Sequence, residues 1–409
     1  MSNILFIGKF YPQGIIDNIV EDTNGKVGFS NHNFELSLIE GFSKLPDIDL
    51  KVLTAPMVYS YPHNNRNAFI KSISYNHKNY TVKSIGFCNI AIINLLSQTL
   101  SLCKAIRNEI YSFNNDEGIA IIVNTPSLVL SSALFQAIRN IKDKKIKTTV
   151  IVPDVPECLV KMNGKITIKT RLVQHLNKHN ARLSLLYDKY VYLTEAMNDF
   201  FHSNIHDCIV MEGLIDESRV SSKFIAPNYN DKKEIILYTG TLRRIFGVMD
   251  LIEAFVKANL TNAELWICGS GECANEITQL AIKNPQIKFY GLVNSQRALE
   301  LQSQATILAN PRSSTGSYTR YSFPSKTIEY LLAGRTVIMN RLPGIPTEYD
   351  KYIEYPDDES IESWANKLNG IVNENKDTRM KQSLAGRNFI LENKTAAAQC
   401  KRILDFINQ

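Results

Sequence analysis

The sequence predicts an α/β protein built as two Rossmann-like, doubly wound domains. Three observations carry that expectation. The chain has 409 residues, more than one hydrophobic core usually organises. Short apolar runs alternate with longer stretches of helical spacing, the pattern of a parallel sheet wrapped by helices. A strand running into a glycine-bearing loop and then a helix opens the chain at Ile4–Gly8, and a second such opening occurs at Glu234–Gly240.

The first domain is expected over residues 1–215. Ile4–Ile7 reads as a buried strand, Gly8–Gly28 as a long loop, and Asn31–Phe42 as a helix. Further strands are expected at Leu50–Leu53, Thr81–Gly86, Ile119–Asn124, Thr148–Pro153, Tyr190–Thr194 and Cys208–Met211. In such folds ligands bind outside the carboxyl ends of the strands. That draws attention to Asn124-Thr125 and to Asp154. Asp154 is suited to accept a hydrogen bond from a ligand hydroxyl or to act as a general base, and equally to cap the next turn.

Between Cys158 and Tyr187 there is no Asp or Glu, while Lys161, Lys165, Lys169, Arg171, Lys178 and Arg182 accumulate. Apolar residues recur among them at helical spacing. A basic amphipathic helix reads as an anionic membrane-surface contact or as a solvated face. Nucleic acid is the weaker partner, because no interleaved aromatics or nucleic-acid motif accompany the charge.

Residues 216–233 are turn-rich and polar and read as a linker. The second domain is expected over 234–390. Its first strand ends at Gly240-Thr241, followed by Leu242-Arg243-Arg244-Ile245-Phe246-Gly247 and a helix over Val248–Lys257. Glycine lets backbone approach a ligand closely, and arginines suit a diphosphate. Gly269-Ser270-Gly271 follows the next strand. Alone it could be a dinucleotide fingerprint, but the strand ending near Asn294 carries no carboxylate for a ribose, so it reads as a tight turn. Helices are expected about Ile361–Val372, Thr378–Leu391 and Ala396–Ile407, the last within a terminal segment 391–409.

The most informative stretch is Arg320-Tyr321-Ser322-Phe323-Pro324-Ser325-Lys326-Thr327-Ile328-Glu329-Tyr330-Leu331-Leu332-Ala333-Gly334. It reads as a polar turn entering a short helix. Pro324 suits the first helical turn, and Ser322 and Ser325 suit capping of its free N–H groups. Such a start favours anions, Lys326 adds a full positive charge, and Glu329 lies one turn on along the same face. The combination suits a phosphate joined to a ribose; an ordinary i,i+3 ion pair is the plainer reading.

This stretch resembles the signature helix of retaining, nucleotide-sugar-dependent glycosyltransferases of the family 4 type, in particular bacterial polysaccharide-assembly members. The resemblance implies the GT-B fold, two such domains facing a central cleft, with the final helix crossing back onto the first. It implies that Glu329 touches the donor ribose and that Tyr321 stands where the family has a glutamate contacting the donor sugar. The Gly240 loop resembles the family's donor loop, with Phe246 in the place of a basic residue that contacts the diphosphate, so that Arg243 or Arg244 would substitute. Donor contacts are then expected from Gly240, Thr241, Arg243, Gly269, Tyr321, Ser325, Thr327 and Glu329, and catalytic roles from Lys326, Arg244 and Asp154. Gly14, Asn31 and Asn124 are expected on the acceptor side.

Composition bounds the rest. A net charge of +6 is mild for this length, and seven cysteines without paired spacing read as reduced thiols. No apolar run approaches the ~18 residues of a membrane helix, and no signal peptide is visible. The expected location is the cytoplasm, at the inner face of the plasma membrane. No metal or other cofactor is expected, since fixed positive charge can neutralise the leaving diphosphate. The expected reaction moves a sugar from a nucleotide diphosphate sugar to a hydroxyl of a saccharide or lipid-linked saccharide, with retention. A sugar-nucleotide epimerase of the same fold, or a non-catalytic sugar-nucleotide-binding scaffold, are the rivals.

Overall fold

The computed structural model describes residues 2–14, 16–23, 29–62, 65–77, 79–91, 93–113, 117–155, 168–215 and 233–409. They form two compact units, one of Met1–Leu214 with Ala396–Gln409 and one of Ile215–Thr395. The expected linker 216–233 lies outside the described residues except for Lys233, as does the Lys161–Lys165 part of the basic segment.

In the first unit, strand β1 (Ser2–Gly8) runs into α1 (Ile16–Asp22) and α2 (Phe29–Ser43). Then follow β2 (Ile48–Thr54), β3 (Phe69–Ile70), β4 (Ile73–His77), β5 (Tyr80–Ser84), β6 (Phe87–Cys88) and α3 (Asn94–Tyr111). The unit continues with β7 (Ile119–Asn124), α4 (Leu128–Ile138), β8 (Ile146–Val152), α5 (Ile168–Ser184), β9 (Lys189–Tyr192), α6 (Asn198–Phe201) and β10 (Cys208–Val210). The sheet order is β10-β9-β8-β7-β1-β2-β5-β4, and only β4 runs antiparallel. β1 is central and its Ile4–Ile7 are fully buried, which is why it reads as an unbroken apolar run.

Two expectations are corrected here. The loop after Gly8 contains α1, because Ile16 and Ile19 lie one turn apart and Ile19 is buried. The short antiparallel pair β3–β6 was not anticipated, since two-residue strands leave no periodicity to read, and neither was the edge strand β4, whose Ile73–His77 includes no fully buried residue.

The second unit holds β11 (Glu234–Thr239), α7 (Val248–Ala258), β12 (Ala263–Cys268), α8 (Ala274–Lys283), β13 (Ile287–Gly291) and α9 (Ser295–Gln304). β14 (Ile307–Asn310), α10 (Ser325–Leu332), β15 (Thr336–Met339), β16 (Ile353–Glu354), α11 (Ile361–Asn373) and α12 (Lys376–Asn393) complete it. Its sheet is parallel throughout, in the order β13-β12-β11-β14-β15-β16. Arg379 of α12 anchors the start of β11 through a buried bidentate pair with Glu234, at 2.9 and 3.2 Å.

The last helix, α13 (Ala396–Asn408), belongs to the first unit, whereas residues 391–395 stay with the second. It packs on α2 so closely that a Cβ on Gly41 would stand 2.5 Å from the Ala396 carbonyl oxygen. Cys400, Ile403 and Ile407 close the same core as Leu38 and Phe42. Among the described residues no helix is long and apolar enough to cross a membrane.

Both sheets reverse their winding direction beside the first strand of the unit. The reversal falls between β1 and β7 in one unit and between β11 and β14 in the other. The crevice outside the carboxyl ends of those strand pairs is where doubly wound sheets take ligands.

Candidate functional site

At the β11/β14 reversal the loops after β11 and β12 are hydrogen-bonded to each other. Gly240 N–H donates to Cys268 at 3.0 Å, Leu242 N–H to Ser270 at 2.9 Å, and Cys273 N–H to Leu242 at 3.0 Å. A Cβ on Gly269 would lie 1.8 Å from the Gly240 oxygen, and one on Gly271 2.4 Å from the Leu242 oxygen, and both residues have positive φ. The two glycines therefore let the neighbouring loop pack directly in front of β12. Thr241 is exposed, and its carbonyl accepts from the buried Tyr238 hydroxyl at 2.9 Å.

The arginines of this loop have separate positions. Arg244 is tied to α8, its side chain paired with Glu276 and its amide donating to Glu272 at 3.1 Å. Arg243 lies over the Phe246 ring, and Arg312, just beyond β14, lies over that ring as well, each 5.8 Å from its centre. The position without a basic residue is thus flanked by two guanidinium groups.

Helix α10 starts differently from the expectation. Pro324 occupies the cap position itself with extended backbone, and neither Ser322 nor Ser325 makes a side-chain cap. Thr327 does not face a ligand space. Its side chain is fully buried beside Met339, and its amide already donates to the Pro324 oxygen at 2.9 Å. Only the first two amides of α10, those of Ser325 and Lys326, remain for an anion among the described residues. Ser325 is exposed.

Lys326 is held between two partners. Its Nζ lies 2.9 and 3.1 Å from the Glu329 carboxylate oxygens and 3.2 Å from the Thr239 hydroxyl at the end of β11. Glu329 also accepts from Gln302 at 2.5 Å. The buried Tyr330 hydroxyl meets the Thr239 amide at 3.1 Å and its hydroxyl at 3.0 Å, locking α10 against β11. Burial raises the Tyr330 pKa above the usual phenol value, so it stays protonated. The Lys326 and Glu329 side chains are about one-third exposed, at 32% and 36%. Tyr321 ends a short helical turn over 317–321, with the Arg320 guanidinium 5.2 Å above its ring.

The β1/β7 reversal is organised by a residue absent from the expected set. Glu35 of α2 is only 2% exposed. It accepts from the amides of Lys9 at 2.7 Å and Phe10 at 2.9 Å and from Asn124 Nδ2 at 2.9 Å. Burial raises its pKa to about 7 despite those hydrogen bonds and the nearby Lys9 ammonium. Lys9 is itself shifted down by burial, against the pull of Glu35. His32 accepts the Tyr11 amide at 3.2 Å through Nδ1, and burial lowers its pKa. The next residue after Asn124, Thr125, has φ +68, a strained geometry for a β-branched residue.

This placement corrects the reading of Asn124, whose side chain is fully buried and turned inward onto Glu35. Gly14 (φ +81) and Asn31 are exposed, as is Asp154 just beyond β8.

With this geometry in hand, comparisons with known proteins bear on it. Residues 233–374 match the family model described as glycosyl transferases group 1. The search of curated proteins found no match. Among solved structures, sucrose-phosphate synthase from Thermosynechococcus elongatus aligns with a TM-score of 0.60 at 13% identity, covering 100% of this chain and 99% of that one. The lipopolysaccharide outer core galactosyltransferase WaaB aligns at 0.57 and 14%, with 100% and 99% coverage. Anabaena HepE, solved in complex with UDP, aligns at 0.59 and 12%, with 100% coverage of both chains. The fold is GT-B. The family match to glycosyl transferases group 1 lies within the second unit.

The structure brings Gly240, Gly269, Lys326 and Glu329 to one strand reversal, while Arg244 is drawn off to α8 and Thr327 is buried. Sequence reasoning missed Thr239, Gln302, Tyr330, Arg312 and Glu35. Glu35 had a readable signal. It occupies the apolar face of α2 with Leu38, Ile39 and Phe42, at spacings of three, four and seven residues. Gln302 had none.

Proposed function

We propose that this chain is a retaining glycosyltransferase that moves a sugar from a nucleotide diphosphate sugar to a hydroxyl of a saccharide or lipid-linked saccharide in cell-surface polysaccharide synthesis. One observation carries the reading. A lysine and a carboxylate, one turn apart and partly exposed, stand at the start of α10 beside the β11/β14 reversal.

An incoming diphosphate is a stronger partner for Lys326 than Glu329 is, because it brings more charge and pairs with the free amides of Ser325 and Lys326 together. Glu329, released from the ammonium and still oriented by Gln302, then accepts the ribose hydroxyls. As the glycosidic bond breaks, negative charge grows on the diphosphate, and Lys326 stabilises that state more than the bound donor. Arg243 and Arg312 add positive charge at the Phe246 edge. Because these charges are fixed in the protein, the reaction runs without a metal. Tyr321 borders the donor sugar, and Asp154 with Gly14 and Asn31 serves the acceptor. A lipid-linked acceptor places the enzyme in the cytoplasm at the inner face of the plasma membrane, with the basic segment Lys161–Arg182 toward anionic headgroups.

The test is incubation with a panel of nucleotide sugars, with and without saccharide acceptors, read by mass spectrometry and thermal shift. Transfer product with nucleoside diphosphate release is expected. An isomerised donor, or binding without any product, overturns the reading.

A further inference from the structure

We infer that the first unit carries a docking face for an anionic lipid bilayer, formed by the β3–β6 pair, the segment before it and the first turns of α3. Of eighteen large hydrophobic residues exposed among the described residues, nine fall between Met57 and Leu100. Phe69 is 70% and Leu96 63% exposed. In the sequence they are scattered, and one buried side chain gathers them. Asn89 donates through Nδ2 to the Tyr59 oxygen at 2.9 Å and the Asn67 oxygen at 3.2 Å, and accepts from Asn94 of α3 at 2.7 Å. Its backbone pairs with Tyr61 at 2.9 Å and Ala68 at 2.7 Å. Three chain segments are thereby fixed side by side.

On α3 the apolar residues are divided between two faces. Leu102, Ile106 and Ile110 are buried, while Ile93, Leu96 and Leu100 repeat at three and four residues on the exposed side. The next residue along that side, at four further, is the exposed Lys104. Exposed Arg66 and Lys71 flank β3.

The charge pattern says what covers this face. From Leu50 to Asn108 the sequence has no Asp or Glu, and the cations exposed at this face are Arg66, Lys71 and Lys104. Asp22 of α1 accepts from Asn67 at 2.5 Å beside the face. A second copy of the chain docking here through a two-fold contact would set cation against cation. An anionic bilayer takes both components, apolar side chains in the acyl boundary and Lys or Arg at the headgroups, and Tyr59 and Tyr61 are side chains suited to that boundary. None of the residues named for this face lies on α5. It rests on the proposed function only for the reason an enzyme would dock there, and vesicle binding is measured without any donor, so either can fail alone.

The experiment is flotation of the full chain with vesicles of phosphatidylcholine alone and of phosphatidylcholine with phosphatidylglycerol, alongside sedimentation analysis without lipid. The wild type is expected to float with the anionic vesicles and to be monomeric in their absence. Phe69→Ser with Leu96→Ser should abolish flotation. Arg66→Gln, Lys71→Gln and Lys104→Gln, all at exposed positions that spare the core, should each weaken binding about fivefold. Wild-type flotation that is absent, indifferent to anionic lipid, or unchanged by the glutamine substitutions overturns the inference. So does a wild-type dimer dissolved by the serine substitutions.

Discussion

The two strand reversals have the same topology but use a carboxylate differently. At β1/β7, Glu35 is sealed inside and holds three donors, two of them amides of the loop after β1. At β11/β14, Glu329 is partly exposed and holds a lysine that an anion can claim. The first arrangement costs much to disturb, since buried donors lose their acceptor. The second exchanges partners cheaply, since solvent screens it. A doubly wound reversal is therefore a place where a ligand can sit, and the burial of its charged groups decides whether they serve the ligand or the loop.

Four measurements break or sharpen that contrast. The largest effect is expected for Lys326→Ala, which should lower turnover by about 10²–10³-fold, with a smaller rise in donor KM. Near-normal steady-state rates at saturating donor would reduce Lys326 to half of a surface ion pair. Next, Glu35→Ala should destabilise the first unit by about 3 kcal/mol or more, from three buried donors left unpaired at about 1–3 kcal/mol each. Urea unfolding reads this, and a loss under about 1 kcal/mol would mean that the loop after β1 finds other acceptors.

Glu329→Ala should weaken nucleotide binding by about 1.5–3 kcal/mol and cost the fold less than Glu35→Ala, since it leaves one buried donor, Gln302, without its acceptor instead of three. Unchanged affinity by calorimetry would remove the ribose role. The smallest effect is the pH dependence of stability. Glu35 has a folded pKa of about 7, above its unfolded value, so the folded state binds the extra proton. Its contribution is present below the unfolded carboxylate pKa and is lost as pH rises through about 7. His32, lowered by burial, opposes this with a contribution lost as pH falls. The difference in unfolding free energy between wild type and Glu35→Gln isolates the Glu35 part. It should shift toward the variant as pH rises from 4.5 to about 7. A pH-independent difference would show that Glu35 does not titrate there.

What the sequence determined by itself were the features that neighbouring residues encode. The alternation of apolar runs and helical spacing specified two parallel sheets, and Phe323–Gly334 specified a helix with a lysine and a carboxylate on one face. Those patterns span a dozen residues and survive any tertiary arrangement. Tertiary structure decided what each charge faces. Glu35 meets the Lys9 amide across 26 positions, Lys326 meets Thr239 across 87, and Asn89 gathers an apolar face from three segments. It also gave Gly269 and Gly271 their use, the approach of a loop some thirty residues earlier in the chain. No local pattern records such contacts, because burial and partner choice depend on which strand ends the sheet order brings together.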